Sequence, residues 1–209
     1  MSHDSIVFDL DGTLWDTCEP CAIAWNNVLR AEGIPYRTIV AEDVRVVTGR
    51  PHEECIRRTF TDLSEEQIQR ISDATMVEDN RVIAEVGGVL YPGVRDGLFR
   101  LRERYQLFIV SNCQSGYIET FLRLNELEEL FSDIECWGNT GNPKGDNLRD
   151  LMARNDLTSP MMIGDAEGDE TAARQCGVPY GFVEYGFGTC TAPDYRFASF
   201  ADLCAHFLG

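Results

Sequence analysis

A chain of 209 residues, 44% hydrophobic and 25% charged, has the size for one substantial core, or a core with a small insert. Its formal charge of −17 excludes the basic stripe that nucleic acid requires and disfavours an anionic membrane surface. No stretch approaches the roughly 18 apolar residues of a membrane span, and the acidic start is unlike a signal peptide, so a cytoplasmic location is expected.

The first apolar run, "SIVFD" (5–9), reads as a strand and leads into "DLDGT". Asp9 and Asp11 stand two positions apart where the run meets a glycine turn. Two carboxylates about 4 Å apart repel by roughly 4 kcal/mol at an effective dielectric of 20. One of them then holds a proton, or both share a cation; solvated turn aspartates are the plain alternative.

Roughly 90 residues separate this strand from the next apolar run, far more than a normal crossover. The stretch is patterned as helices. "TCEPCAIAWNNVLRAEG" offers Thr17 as N-cap, Pro20 in the first turn and Gly33 as the stop. "AEDVRVVTG", "PHEECIRRTF" and "SEEQIQRISDATMVEDNRVIAEV" continue the helical spacing, and Ser64 with Gln67 forms a capping box. An inserted helical cap over residues 15–88 is expected, with "GGVLYPGV" as the return linker. The "CEPC" spacing, Cys18 to Cys21, fits a redox pair at a helix start. The other cysteines are scattered singly through apolar segments, which fits reduced thiols, and packing is the expected role for this pair too.

Four further apolar runs follow: "QLFIVSN" (106–112), "DIECWG" (133–138), "PMMIGD" (160–165) and "YGFVEYG" (180–186). Helical patterns alternate with them at 94–105, 115–127, 145–157 and 168–177. Continuous hydrophobicity suits strands covered on both faces, so the chain reads as α/β. The expected architecture is a doubly wound parallel-sheet, Rossmann-like core of residues 1–14 and 89–209 carrying the cap.

Ligands of such sheets bind outside the carboxyl ends of the strands. Polar residues gather at those ends: Asp9, Asp11 and Thr13, then Ser111 and Asn112, then Lys144 before a helix, then Asp165 with Asp169 one turn on. Four acids at one mouth call for compensation, and a hard divalent cation such as Mg²⁺ with waters and a substrate phosphate supplies it. Lys144 adds a fixed positive charge; Ser111, Thr13 and backbone N–H groups add donors for an oxyanion. Acids, metal, lysine and hydroxyls together describe phosphoryl transfer.

"DLDGT", the serine closing "FIVSN", a lysine opening a helix and "GDAEGD" occur in this order and resemble the four motifs of the haloacid dehalogenase-like hydrolase superfamily. The insert after the first motif looks like that family's α-helical cap, as in its phosphoglycolate phosphatase and β-phosphoglucomutase branch. The resemblance implies a phosphatase acting on a small phosphorylated metabolite, with Asp9 as nucleophile, Asp11 as general acid and base, and Ser111 and Lys144 holding the phosphoryl group. It implies Mg²⁺ held by Asp9, the backbone carbonyl of Asp11, and Asp165. Asp169 is either a ligand or a support for one, Asn112 either touches substrate or shapes its turn, and Glu167 faces solvent. In the cap, Arg50 and His52 of "TGRPHEE" stand where such caps present a specificity loop; a plain helix-joining loop is the alternative. Trp15 and Trp25 either line the opening or pack.

Two departures from the family pattern stand out. Relatives often carry Lys-Pro-x-Pro at the lysine, whereas "NPKGDN" places its proline before Lys144. The mutase branch carries a histidine early in the first cap helix, and the counterpart here is Cys21, which favours hydrolysis over a phosphosugar mutase. A phospho-accepting receiver or a silent binding protein is the non-enzymatic alternative. A dehalogenase is disfavoured because Asp11 is present. A monomer is the default, as no long heptad pattern calls for a partner.

Overall fold

In the computed structural model, which describes residues 3–209, the helix-rich segment lies between the first two neighbouring strands of the main sheet. In chain order the elements are β1 (Ser5–Phe8), β2 (Trp15–Asp16), α1 (Cys18–Ala31), α2 (Ala41–Arg45), α3 (His52–Thr59), α4 (Glu65–Val86) and β3 (Val89–Leu90). Then come α5 (Val94–Arg102), β4 (Gln106–Ser111), α6 (Tyr117–Asn125), β5 (Phe131–Cys136), α7 (Trp137–Thr140), α8 (Lys144–Arg154) and β6 (Pro160–Gly164). The chain closes with α9 (Glu167–Cys176), β7 (Tyr180–Val183), β8 (Tyr195–Phe197) and α10 (Phe200–Leu208).

Six strands form a parallel sheet in the order β5-β4-β1-β6-β7-β8. The alternation along β1 assigns its faces: Ile6 and Phe8 join Val94, Leu98, Phe200 and Leu203 of α5 and α10 on one side. Val7 joins Leu148, Leu151, Ala172 and Ala173 of α8 and α9 on the other. Both faces are covered, which is why the strands read as unbroken apolar runs.

The segment between β1 and β4 packs α4 along α1. Helix α4 starts as its sequence dictates, with Ser64 Oγ accepting from the Gln67 N–H at 3.3 Å and the Gln67 side chain accepting from the Ser64 N–H at 3.0 Å. Its buried stripe, Ile68, Ile71, Thr75, Asp79, Val82 and Ile83, follows the helical period. An acid on that stripe breaks the apolar pattern.

Several details differ from the sequence-based expectations. The two segments flanking the helices pair with one another: β2 and β3 form an antiparallel ribbon, Trp15 opposite Leu90 and Asp16 opposite Val89. Two-residue strands carry too little periodicity to be read from sequence. Thr17 occupies the N-cap position of α1 without capping it; the Asp16 carboxylate accepts from the Cys18 N–H instead, at 2.8 Å. The expected strand over 133–138 runs from Phe131 to Cys136, and Trp137 begins the short α7. β8 and α10 extend the fold beyond the last expected element.

Trp15 is fully buried and does not line an opening; it meets Phe121 of α6 edge to face at 4.9 Å and Tyr117 at 5.5 Å. Truncating Phe121 to alanine opens a cavity beneath that indole and is expected to cost about 3–5 kcal/mol. Urea unfolding followed by Trp fluorescence measures it.

Candidate active site

The carboxyl end of β1 passes into a tight turn in which the Thr13 and Leu14 N–H groups return to the Leu10 carbonyl at 3.3 and 2.9 Å. Gly12 has φ +85°, and a Cβ there would stand 2.3 Å from Asp165 Oδ2, so only glycine lets the turn and the β6 carboxylate approach. Asp165 is held from the other side by the N–H groups of Phe187 and Gly188, at 2.6 and 3.1 Å. Those two donors lie in the loop after β7, just beyond the expected apolar run of 180–186.

Lys144 opens α8 directly after Pro143, and its Nζ donates to Asp9 Oδ1 at 2.5 Å and to Asp169 Oδ1 at 2.7 Å. The Asp169 Oδ2 accepts from the N–H groups of Asp165 and Ala166, both at 3.1 Å. Asp169 therefore braces both the lysine and the backbone that presents Asp165. Carboxylate oxygens of Asp9, Asp165 and Asp169 lie within 4.8 Å of one another, and all three residues are buried. Thr13 is fully buried with its hydroxyl 3.4 Å from Asp9 and 3.5 Å from Asp165, so it is turned to the acids rather than to the cleft.

Burial, followed by the neighbouring Asp169 charge, pushes Asp9 well above the usual carboxylate range, with Lys144 opposing. Asp165 rises to about 7 for the same two reasons. Burial alone would lower Lys144, yet Asp169 and Asp9 hold it above its ordinary value. Three acids and one lysine leave unbalanced negative charge in a dry place. The donor set, all hard oxygens with carboxylates in the majority, fits a divalent cation such as Mg²⁺.

Asp11 stands apart from this cluster. Its Oδ1 takes hydrogen bonds from Tyr117 OH at 2.7 Å and Thr17 Oγ1 at 3.1 Å, and the two hydroxyls are 2.6 Å apart. Burial raises Asp11 to about 6, with the Tyr117 and Thr17 bonds opposing. Neither hydroxyl was singled out as functional in the sequence. The available signal was position: Tyr117 opens the helix that follows β4, beside the strand end that carries Ser111.

Ser111 closes β4 and its Oγ accepts from the Cys113 N–H at 3.3 Å. Asn112 donates through Nδ2 to the Gly49 carbonyl at 2.8 Å, tying the strand end to the "TGRPHEE" loop, while its buried Oδ1 has no hydrogen-bond partner. Ser111, Asn112, Asp9 and Asp11 line a cleft of about 60 Å³ whose opposite wall includes Arg50, His52, Trp25 and Cys21. Glu167 is exposed.

The structure separates the two cap residues of interest. Arg50 is partly exposed, donating to the Val47 and Val46 carbonyls at 3.0 and 3.3 Å and pairing with Glu54 at 3.6 Å. His52 is buried, with Nε2 2.8 Å from Thr75 Oγ1, and desolvation lowers its pKa to about 4. The nearby Asp79 is buried and also lines the cleft. Cys18 and Cys21 are free, buried thiols raised by desolvation, which opposes a thiolate redox pair.

Replacing Lys144 with methionine leaves Asp9 and Asp169 buried without their cation. In EDTA at pH 7, urea unfolding is expected to show a loss of about 3–5 kcal/mol. His52 generates a second prediction. A histidine depressed from 6.5 to about 4 stabilises fully above its unfolded pKa, and this is lost as pH falls toward 4. Between pH 7 and 5 the wild type should lose about 2 kcal/mol more than His52→Gln, measured by urea unfolding at each pH.

The family model described as haloacid dehalogenase-like hydrolase matches residues 6–183. A phosphoglycolate phosphatase of Aliivibrio fischeri is 31% identical over 197 residues, spanning 87% of this chain and 84% of its own. That of Nitrosospira multiformis is 29% identical over 202 residues, spanning 86% and 85%. The solved structure of a haloacid dehalogenase-like family hydrolase from Streptococcus pneumoniae superposes with a TM-score of 0.85 at 25% identity over 98% of both chains. The chain belongs to the haloacid dehalogenase-like hydrolase family and, within it, to the phosphoglycolate phosphatase-like branch of phosphatases.

Proposed function

We propose that the chain hydrolyses a small phosphomonoester with Mg²⁺, through a phosphoryl group carried transiently on Asp9. The observation that carries the reading is the division of labour between two neighbouring acids. Asp9 is held by Lys144 among the clustered carboxylates, whereas Asp11 is held by two neutral hydroxyls and raised to about 6. Carboxyls whose surroundings differ in this way suit one nucleophile and one proton carrier.

In this reading a carboxylate oxygen of Asp9 attacks phosphorus, and the ester P–O bond breaks as the O–P bond to Asp9 forms. Protonated Asp11 gives its proton to the departing alkoxide. Asp11, now a carboxylate, takes a proton from a water whose oxygen attacks the same phosphorus as the O–P bond to Asp9 breaks, releasing inorganic phosphate and restoring both acids. Ser111 and Lys144 orient the phosphoryl oxygens. Asp9, Asp165 and the Asp11 backbone carbonyl would hold Mg²⁺, and Asp169 keeps Lys144 and the Asp165 backbone in place. When bound, the cation supplies the positive charge that lets Asp9 ionise beside Asp165 and offsets the incoming phosphoryl charge.

Cys21 on the cleft wall supports hydrolysis over sugar-phosphate isomerisation, because a buried thiol held protonated is a poor substitute for an imidazole in a hydrogen-bonding role. No helix among the described residues is long and apolar enough to cross a membrane.

The test is phosphate release from a panel of small phosphomonoesters. Turnover should require Mg²⁺, vanish in EDTA and return on adding the metal. Asp9→Asn should lower kcat by at least about 1,000-fold while the protein stays folded. Turnover that persists in that variant, or in EDTA, would refute the mechanism.

A further inference from the structure

Tyr117 and Phe121 stand one turn apart on α6, and both meet the Trp15 indole edge to face, at 5.5 and 4.9 Å. Phe121 makes that contact with a plain phenyl ring, so packing on the indole does not call for a phenol. Tyr117 is 4% exposed, so its hydroxyl is not there to meet bulk water either. Its partners say what it serves. The hydroxyl donates to Asp11 Oδ1 at 2.7 Å and lies 2.6 Å from Thr17 Oγ1. Thr17 Oγ1 is in turn 3.1 Å from the same carboxyl oxygen.

A free aspartate carboxyl turns readily about its last side-chain bond, whereas proton transfer needs one setting of it. Here two hydroxyls from separate elements converge on Oδ1: Tyr117 opens the helix that follows β4, and Thr17 immediately precedes α1. A phenol, with an ordinary pKa of about 10, keeps its proton at neutral pH and remains a donor throughout a catalytic cycle. With Oδ1 engaged as an acceptor, Oδ2 is the oxygen left to carry a proton, and Asp11 lines the cleft.

We infer that Tyr117 is a positioning residue for proton transfer: its hydroxyl holds Asp11 Oδ1, so that Oδ2 gives a proton to the departing alkoxide and takes one from the attacking water. This rests on the phosphatase reading and deepens it by separating the two half-reactions. An alkyl ester departs as a basic alkoxide and needs the proton, whereas a 4-nitrophenyl ester departs as a stabilised phenolate and does not. Hydrolysis of phosphorylated Asp9 needs Asp11 as base whichever ester supplied the phosphoryl group. Loss of the phenol oxygen thus slows both half-reactions for alkyl esters and only the second for the aryl ester.

Steady-state and stopped-flow kinetics of Tyr117→Phe with Mg²⁺ test this, using ethyl phosphate, glycerol 3-phosphate, 2-phosphoglycolate and 4-nitrophenyl phosphate. For the alkyl esters kcat/KM should fall at least about ten-fold, a part of the roughly 100-fold or more that a well-placed acid supplies. For 4-nitrophenyl phosphate kcat/KM should stay within about three-fold while kcat and KM fall together, at least about five-fold. Phosphorylated Asp9 then accumulates, and a burst of about one nitrophenolate per chain precedes the slow phase. On an Asp11→Asn protein, adding Tyr117→Phe should change the 4-nitrophenyl phosphate kcat by less than about two-fold, because no proton remains to be placed. An equal fall of kcat/KM for aryl and alkyl esters would make the hydroxyl merely structural and overturn the inference. So would an unchanged kcat/KM for the alkyl esters, or a further loss on the Asp11→Asn protein. A wild type that releases phosphate from none of the four esters would sink the phosphatase reading itself, and the role of Tyr117 with it.

Discussion

Among the described residues Lys144 is the one cation within hydrogen-bonding reach of Asp9 and Asp169, and the arrangement of the acids depends on it. It is 6% exposed, so its charge acts with little screening from water. Through Asp9 it reaches the end of β1, and through Asp169 it reaches the backbone at the end of β6, where the Asp165 and Ala166 N–H groups close the circuit. Two neighbouring central strands and the start of α8 are thereby locked around one ammonium group. One ammonium group faces three clustered acids, and that oxygen donor set is compatible with a divalent cation.

The helix-rich segment between β1 and β4 is fastened to the strand-end loops by short, directional contacts. The β2–β3 ribbon joins the two ends of the insert, Asn112 grips the Gly49 carbonyl, and Asn80 of α4 donates to the Ser115 carbonyl at 2.9 Å. The Arg45 guanidinium lies 4.8 Å from the Phe187 ring centre, next to the backbone N–H groups that hold Asp165. Contacts of this kind bring Asp79 and His52 to the cleft that Asp9 and Asp11 also line. Asp11 and Asp79 therefore line one cleft.

Much of the arrangement was legible in the chain because parallel strands place their carboxyl ends on one side. Asp9, Ser111, Lys144 and Asp165 each follow an apolar run or open a helix, and that position alone drew them together. Tyr117 and Thr17 carry no functional signal in the sequence, because a tyrosine opening a helix and a threonine at an N-cap position look structural until a carboxylate lies beside them. Phe187 and Gly188 escaped because they act through backbone N–H groups, which residue type does not reveal. Asp79 was legible in principle as an acid on an apolar stripe, but helical acids are common and the stripe becomes visible only once the face against α1 is known.

The sequence by itself determined the α/β alternation, the covered sheet, the capped helices of the insert and the set of acids and lysine at strand ends. These follow from local periodicity, turn chemistry and strand direction, all of which are written within a few residues. Only the tertiary structure decided that Asp169 braces rather than stands free, that Thr13 turns to the carboxylates, and that His52 is buried beside Asp79 while Arg50 is spent on its own loop. The Lys144–Asp169 bond spans 25 positions of chain and the Thr13–Asp165 approach 152, and even the short-range contacts depend on which partner a side chain reaches first. That is settled by packing and desolvation in the folded molecule, where an unpaired polar atom is costly, and local sequence carries no record of it.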